Sequence, residues 1–142
     1  MNYFNNFIIV DDDKINNKLC KLVIEGVYPD ANIVDFTDPE EGFDFIVKKY
    51  AQPGNQDRAI LLLDIIMPIM DAWDFLEKFE ELAEDVKSRI KIYILSSSVD
   101  KEDMIRANNN KYVEYYLIKP LNAESIHLMV HVLHKRLGWS DR

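Results

Sequence analysis

Several of the chain's short apolar runs end in residues that can do chemistry. Residues 7–10 lead into Asp11 and Asp12, residues 59–63 into Asp64, residues 90–95 into Ser96, and residues 115–118 into Lys119. Where such ends meet, carboxylates, a hydroxyl and an ammonium share one rim. Crowded carboxylates repel one another, and a hard divalent cation relieves that repulsion. Mg²⁺ takes oxygen ligands, commonly one or two carboxylates together with phosphate oxygens and water. A carboxylate can also attack phosphorus and form an aspartyl-phosphate. A metal, a lysine and a hydroxyl would then neutralise and orient the phosphoryl oxygens, which is most of what phosphoryl transfer requires.

The elements that must position these residues follow from periodicity. Together with residues 33–36, the apolar runs are short and rich in Ile, Val and aromatic residues, which favours strands. The stretches between them have helical spacing. Ile15, Leu19, Leu22 and Val23 fall on one face, as do Phe75, Leu76, Phe79, Leu82 and Val86, and later Ile126, Met129, Val130, Leu133 and Leu137. Asp38 followed by Pro39 reads as a helix start, and Asp13, Asp100 and Asn122 are further N-cap candidates. Cys20 reads as a small core residue of the first helix.

This βα alternation predicts an α/β fold with a five-stranded parallel sheet covered by helices on both faces. Asp35 and Glu114 interrupt the second and fifth strands, which places those two at the edges. The order 2-1-3-4-5 satisfies this, giving a flavodoxin-like doubly wound (βα)₅ sheet. Ligands in such sheets sit outside the carboxyl ends of the strands, where Asp11, Asp12, Asp64, Ser96 and Lys119 are expected.

Four strings carry a resemblance. They are Ile8-Ile9-Val10-Asp11-Asp12-Asp13, then Leu61-Leu62-Leu63-Asp64-Ile65-Ile66-Met67-Pro68-Ile69-Met70-Asp71, then Ile94-Leu95-Ser96-Ser97, then Tyr116-Leu117-Ile118-Lys119-Pro120. In this order and spacing the chain resembles the receiver domains of two-component signalling. The resemblance implies that Asp64 is the phosphoacceptor. It implies that Mg²⁺ is held by Asp12 and Asp64, by Asp11 largely through water, and by the backbone carbonyl of Ile66. Ser96 and Lys119 would bind the phosphoryl group, Tyr116 would be the aromatic switch residue, and the Lys119–Pro120 peptide would be cis. The pattern departs from the family at Ala72, which stands where a glycine is usual and is followed by the bulky Trp73.

The implied function is a phosphorylation-dependent switch. A sensor histidine kinase or histidine phosphotransfer protein would donate to Asp64, changing the face made by the fourth helix, fifth strand and fifth helix for a downstream protein target. Phosphorylation-linked homodimerisation is left open. Such a protein is no enzyme in the ordinary sense, catalysing only its own phosphoryl transfer and autodephosphorylation. An alternative is an aspartate-nucleophile phosphatase of the haloacid dehalogenase type, which expects an acid where Ile66 stands. A flavodoxin would need a hydroxyl-rich phosphate loop where Asp11, Asp12 and Asp13 stand. An unphosphorylated receiver-like scaffold is the remaining alternative.

Composition bounds the rest. At 142 residues the chain fits a single domain, 1–142, with no output domain expected after the last helix. Net charge of −8 and a pI near 4.8 disfavour nucleic-acid binding. The lone Cys20 and the lack of a basic start before residues 7–10 predict a cytoplasmic protein without a signal peptide. No membrane association is expected. His127, His131 and His134 flank the apolar stripe of the last helix and read as a solvated or partner-facing strip rather than a metal site.

Overall fold

The apolar runs form strands and the amphipathic stretches form helices. A computed structural model of the chain describes residues 4–136. In chain order its elements are β1 (Asn6–Val10), α1 (Lys14–Val27), β2 (Asn32–Phe36), α2 (Pro39–Tyr50), β3 (Ala59–Leu63), α3 (Ala72–Glu80), α4 (Glu84–Arg89), β4 (Ile90–Ser96), α5 (Lys101–Asn108), β5 (Val113–Ile118) and α6 (Ala123–Arg136). The strands make one parallel sheet in the order β2-β1-β3-β4-β5. This is the expected doubly wound, flavodoxin-like sheet. β3 is buried along its whole length and β1 and β4 nearly so, while β2 and β5 are the partly exposed edges.

Alternate strand residues feed two cores. On one face Ile8, Val10, Leu61, Leu63, Ile92 and Ile94 pack with Phe43 and Ile46 of α2 and Phe75 and Phe79 of α3. On the other, Phe7, Ile9, Ile60, Leu62 and Leu95 pack with Cys20 and Ile24 of α1 and with Ile126, Met129, Val130 and Leu133 of α6. Leu137 lies outside the described residues, as does the side chain of His134; His127 and His131 are exposed.

The caps are where the sequence puts them. Asp13 accepts from the backbone N–H of Ile15 and Asn16, Asp38 from Glu40, and Asp100 from Glu102, while Asn122 Oδ1 accepts from Ser125 N–H at 2.8 Å. At α3 a reciprocal capping box joins Asp71 and Asp74.

Two helices differ from expectation. The stripe Ile15, Leu19 and Leu22 faces outward, and the buried residues of α1 are Asn16, Asn17, Cys20 and Ile24. The Asp13 cap fixes the phase of α1, and the inward phase begins with two amides that serve Asp11 (below). The third amphipathic stretch is also broken, since α3 ends at Glu80 and α4 starts at Glu84. The N–H groups of Glu81 and Leu82 turn to the carbonyls three residues back, and Ala83 is extended at φ −59°, ψ 144°. A continuous helix would stack Glu77 on Glu81, Glu80 on Glu84 and Glu81 on Asp85, all like-charge pairs at i, i+4. The helix expected as fourth is therefore α5, and the one expected as fifth is α6.

One close approach holds the end of β1 in place. A Cβ added at Gly42 of α2 would lie 2.8 Å from Val10 Cγ2, and Val10 immediately precedes Asp11. The Val10 methyl belongs to a stiff, fully buried side chain, so it has little room to give. Overpacking costs about 1–3 kcal/mol, against a helix-propensity gain of about 1 kcal/mol. Gly42→Ala should therefore lose about 1 kcal/mol in urea denaturation, and a variant as stable as wild type would show that β1 is not held this way.

Candidate functional site

Backbone bonds carry the sheet ladder past the strand ends and fix the rim. Asp11 N–H donates to Phe36 O at 3.0 Å, Asp64 N–H to Val10 O at 3.0 Å, and Lys119 N–H to Ser96 O at 2.9 Å. Asp11, Asp64, Ser96 and Lys119 are thus set by strand pairing rather than by mobile loop. Ligand oxygens of Asp11, Asp12 and Asp64 all lie within 4.8 Å of one another, with Asp11 and Asp64 buried and Asp12 exposed. Lys119 Nζ bridges the buried pair at 2.7 Å from Asp11 Oδ2 and 3.7 Å from Asp64 Oδ2.

The remaining expected residues lie on β4, β5 and the β3–α3 loop. Ser96 is buried, and its Oγ accepts from Ser98 N–H at 3.2 Å, which leaves its own proton to donate. Tyr116 is half-buried, and its hydroxyl donates to Ser98 O at 2.8 Å in the β4–α5 loop. Ile66 lies in the β3–α3 loop with its side chain exposed. The Lys119–Pro120 peptide is cis. In the same β3–α3 loop Ile69 has φ +73° and is 89% exposed, an arrangement disfavoured for a β-branched residue. Ala72 opens α3, its N–H donating to Ile65 O at 3.1 Å.

The structure adds two residues that the strand-end reading missed. Asn16 Nδ2 donates to Asp11 Oδ2 at 2.8 Å, and Asn17 Nδ2 to the Asp11 carbonyl at 2.9 Å. Both amides are buried in α1. A signal was present: counted from the Asp13 cap, Asn16, Cys20 and Ile24 share one helical face, and a buried amide needs a partner.

The electrostatics show carboxylates crowded beyond what one lysine relieves. Burial first, then the charge of Asp11, pushes Asp64 up to about 6, even though Lys119 and the backbone N–H of Ile65 oppose the shift. Burial works against the charge of Lys119, but its hydrogen bond to Asp11 and the charges of Asp11, Asp64 and Asp13 more than offset this, and its pKa lies above that of an ordinary lysine. All the donors here are hard oxygens, as Mg²⁺ prefers, and the cation would relieve the repulsion that raises Asp64. The residues present fit such an ion.

Comparisons with known proteins agree with this geometry. A family model described as the response regulator receiver domain matches residues 7–131. A two-component response regulator from Cytophaga hutchinsonii is 26% identical, with TM-score 0.83, over 94% of this chain and 98% of the other. A response regulator receiver protein from Dyadobacter fermentans is 27% identical, with TM-score 0.79, over 95% and 98% of the two chains. The cyclic di-GMP phosphodiesterase response regulator RpfG of Xanthomonas campestris is 29% identical over 85% of this chain, which spans only 29% of that protein's length.

A carboxyl raised on folding binds its proton more tightly in the native state. Its unfavourable contribution is absent below the unfolded value near 3.8, grows as pH rises, and is complete above about 6. In chelator, Asp64→Asn should therefore be more stable than wild type by about 2 kcal/mol at pH 7, solvent screening reducing the roughly 3 kcal/mol of the full shift, with the gap closing toward pH 4. Adding Mg²⁺ should stabilise wild type and not the variant. Thermal melts across pH check this, and a pH-independent difference would refute it.

Proposed function

Since the chain belongs to the response regulator receiver domain family, whose model matches residues 7–131, we propose that it is a phosphorylation-dependent signalling switch with Asp64 as its phosphoacceptor. The observation that carries this reading is the meeting of Asp11, Asp12 and Asp64 with Lys119 at one sheet rim.

The donor is a phosphohistidine of a sensor histidine kinase or histidine phosphotransfer protein. A carboxylate oxygen of Asp64 attacks phosphorus, the P–N bond breaks, and its electron pair stays on the imidazole nitrogen. Near neutral pH an acid titrating at about 6 is mostly ionised and ready to attack. Asp12, Asp64, the Ile66 carbonyl and Asp11 would hold Mg²⁺, which would supply positive charge beside the carboxylates and phosphoryl oxygens. The ammonium of Lys119 and the hydroxyl of Ser96 face the charge that spreads over the phosphoryl oxygens in the transition state.

The readout runs through the β4–α5 loop. Ser96 moving toward a phosphoryl group on Asp64 draws on Ser98, whose carbonyl holds the Tyr116 hydroxyl. That links the site to the face of α5, β5 and α6, where a downstream protein or a second copy would bind. The buried, free Cys20 suits a cytoplasmic setting. Among the described residues, no helix is long and apolar enough to cross a membrane. The phosphatase alternative is disfavoured by Ile66, an exposed aliphatic side chain where that chemistry wants an acid.

Intact mass after incubation with acetyl phosphate tests the proposal. Wild type with Mg²⁺ should gain one phosphoryl group, and chelator or Asp64→Asn should abolish the gain. Ser96→Ala should slow it by roughly tenfold or more. Phosphorylation that survives in Asp64→Asn, or none in wild type, would sink the assignment.

A further inference from the structure

Asp11 is a 2% exposed carboxylate with all of its oxygens engaged. Its Oδ1 accepts from Asp13 N–H at 2.9 Å, and its carbonyl from Asn17 Nδ2 at 2.9 Å. Its Oδ2 takes two donors, Asn16 Nδ2 at 2.8 Å and Lys119 Nζ at 2.7 Å. Lys119 therefore sits closer to Asp11 than to Asp64, which is 3.7 Å away. A phosphoryl group on Asp64 would draw the ammonium toward that side and weaken its bond to Asp11 Oδ2. A buried carboxylate that loses a charged donor is expensive to leave short. The amide of Asn16 is the group that stays on the same oxygen.

We propose that Asn16 is a positioning residue: by sharing Asp11 Oδ2 with Lys119, it keeps that carboxylate bonded and in place when the lysine turns to the phosphoryl group on Asp64. This rests on the phosphorylation reading and deepens it. The side-chain type matters. A cation at position 16 would repel a divalent metal, and a carboxylate would compete for Lys119. An apolar residue would leave Lys119 as the lone side-chain donor on that oxygen and pin it there. A neutral amide holds Asp11 without doing any of these. Its place is secured by the helix start, since Asn16 N–H donates to the Asp13 cap at 3.2 Å and the residue is only 8% exposed.

The test separates positioning from plain support of the fold. Asn16→Leu keeps the branched shape and removes the donor, whereas Asn16→Gln restores a donor. For each protein, Mg²⁺ affinity is measured by calorimetry on the unphosphorylated form. The rate of phosphorylation by acetyl phosphate is measured at saturating Mg²⁺, with melting temperature as the check on folding. Asn16→Leu should be phosphorylated about tenfold more slowly, with Mg²⁺ affinity within about threefold of wild type or tighter, and Asn16→Gln should recover most of the rate. A Leu variant as fast as wild type overturns the proposal. So does a rate that falls in step with Mg²⁺ affinity, the mark of a collapsed pocket, or a Gln variant no faster than Leu. Failure of wild type itself to be phosphorylated would remove the function reading and this inference together; a fast Leu variant beside an active wild type removes only the inference.

Discussion

The contact on which the structure turns is the one between Lys119 and the two buried acids. Asp11 and Asp64 are brought side by side because β1 and β3 are neighbours in the middle of the sheet, and neither can retreat to water. Burial, and then the repulsion between two carboxylates so placed, push the Asp64 pKa up to about 6. Lys119 lowers the repulsion without removing it. It arrives from β5, two strands away from β3, on a chain segment whose N–H is bonded to Ser96. The strain of a central acid pair and the reach of a lysine from the edge strand thus define the same cavity.

The fold that achieves this was written plainly in the sequence, because a doubly buried strand must be apolar throughout and an edge strand need not be. Asp35 and Glu114 were enough to place β2 and β5 at the edges. The strand-end residues were legible for the same reason, as polar residues directly after an apolar run have one rim to occupy. What hydrophobicity alone did not give was the phase of α1. In α1 the alternatives Ile15, Leu19, Leu22 and Asn16, Cys20, Ile24 are both helical rows, and hydrophobicity favours the first. The structure chose the second, since Asp11 needs amide donors from below and the apolar row is left facing solvent. A buried charge overrode the hydrophobic pattern, and no periodicity count contains that term. The α3–α4 break was hidden for another reason, since the apolar stripe from Phe75 to Val86 stays in the core across a turn that interrupts the helix.

The β3–α3 loop shows a further cost accepted near the site. Ile69 holds a left-handed backbone at φ +73°, a conformation worth about 1 kcal/mol or more of strain in a residue with a Cβ. It persists because the loop is pinned at both ends. Met70 N–H donates to Pro68 O at 2.7 Å, Ala72 N–H to Ile65 O at 3.1 Å, and the Asp71–Asp74 capping box closes α3 just beyond. The sequence carried no glycine to announce this turn, so the strain was invisible before the backbone was seen.

These features set how each rim residue is held. Asp11 and Asp64 follow strands bonded on both sides, and Asp11 is further held by Asn16, Asn17 and the N-terminal turn of α1. Ser96 ends β4, which is likewise bonded on both sides, and Lys119 follows the edge strand β5. Each is coupled to the other through backbone, and the loop after Ser96 is tied to β5 again by the Tyr116 hydroxyl. Local stability follows the density of buried contacts, and of the strands that lead to the rim residues β5 alone is a partly exposed edge.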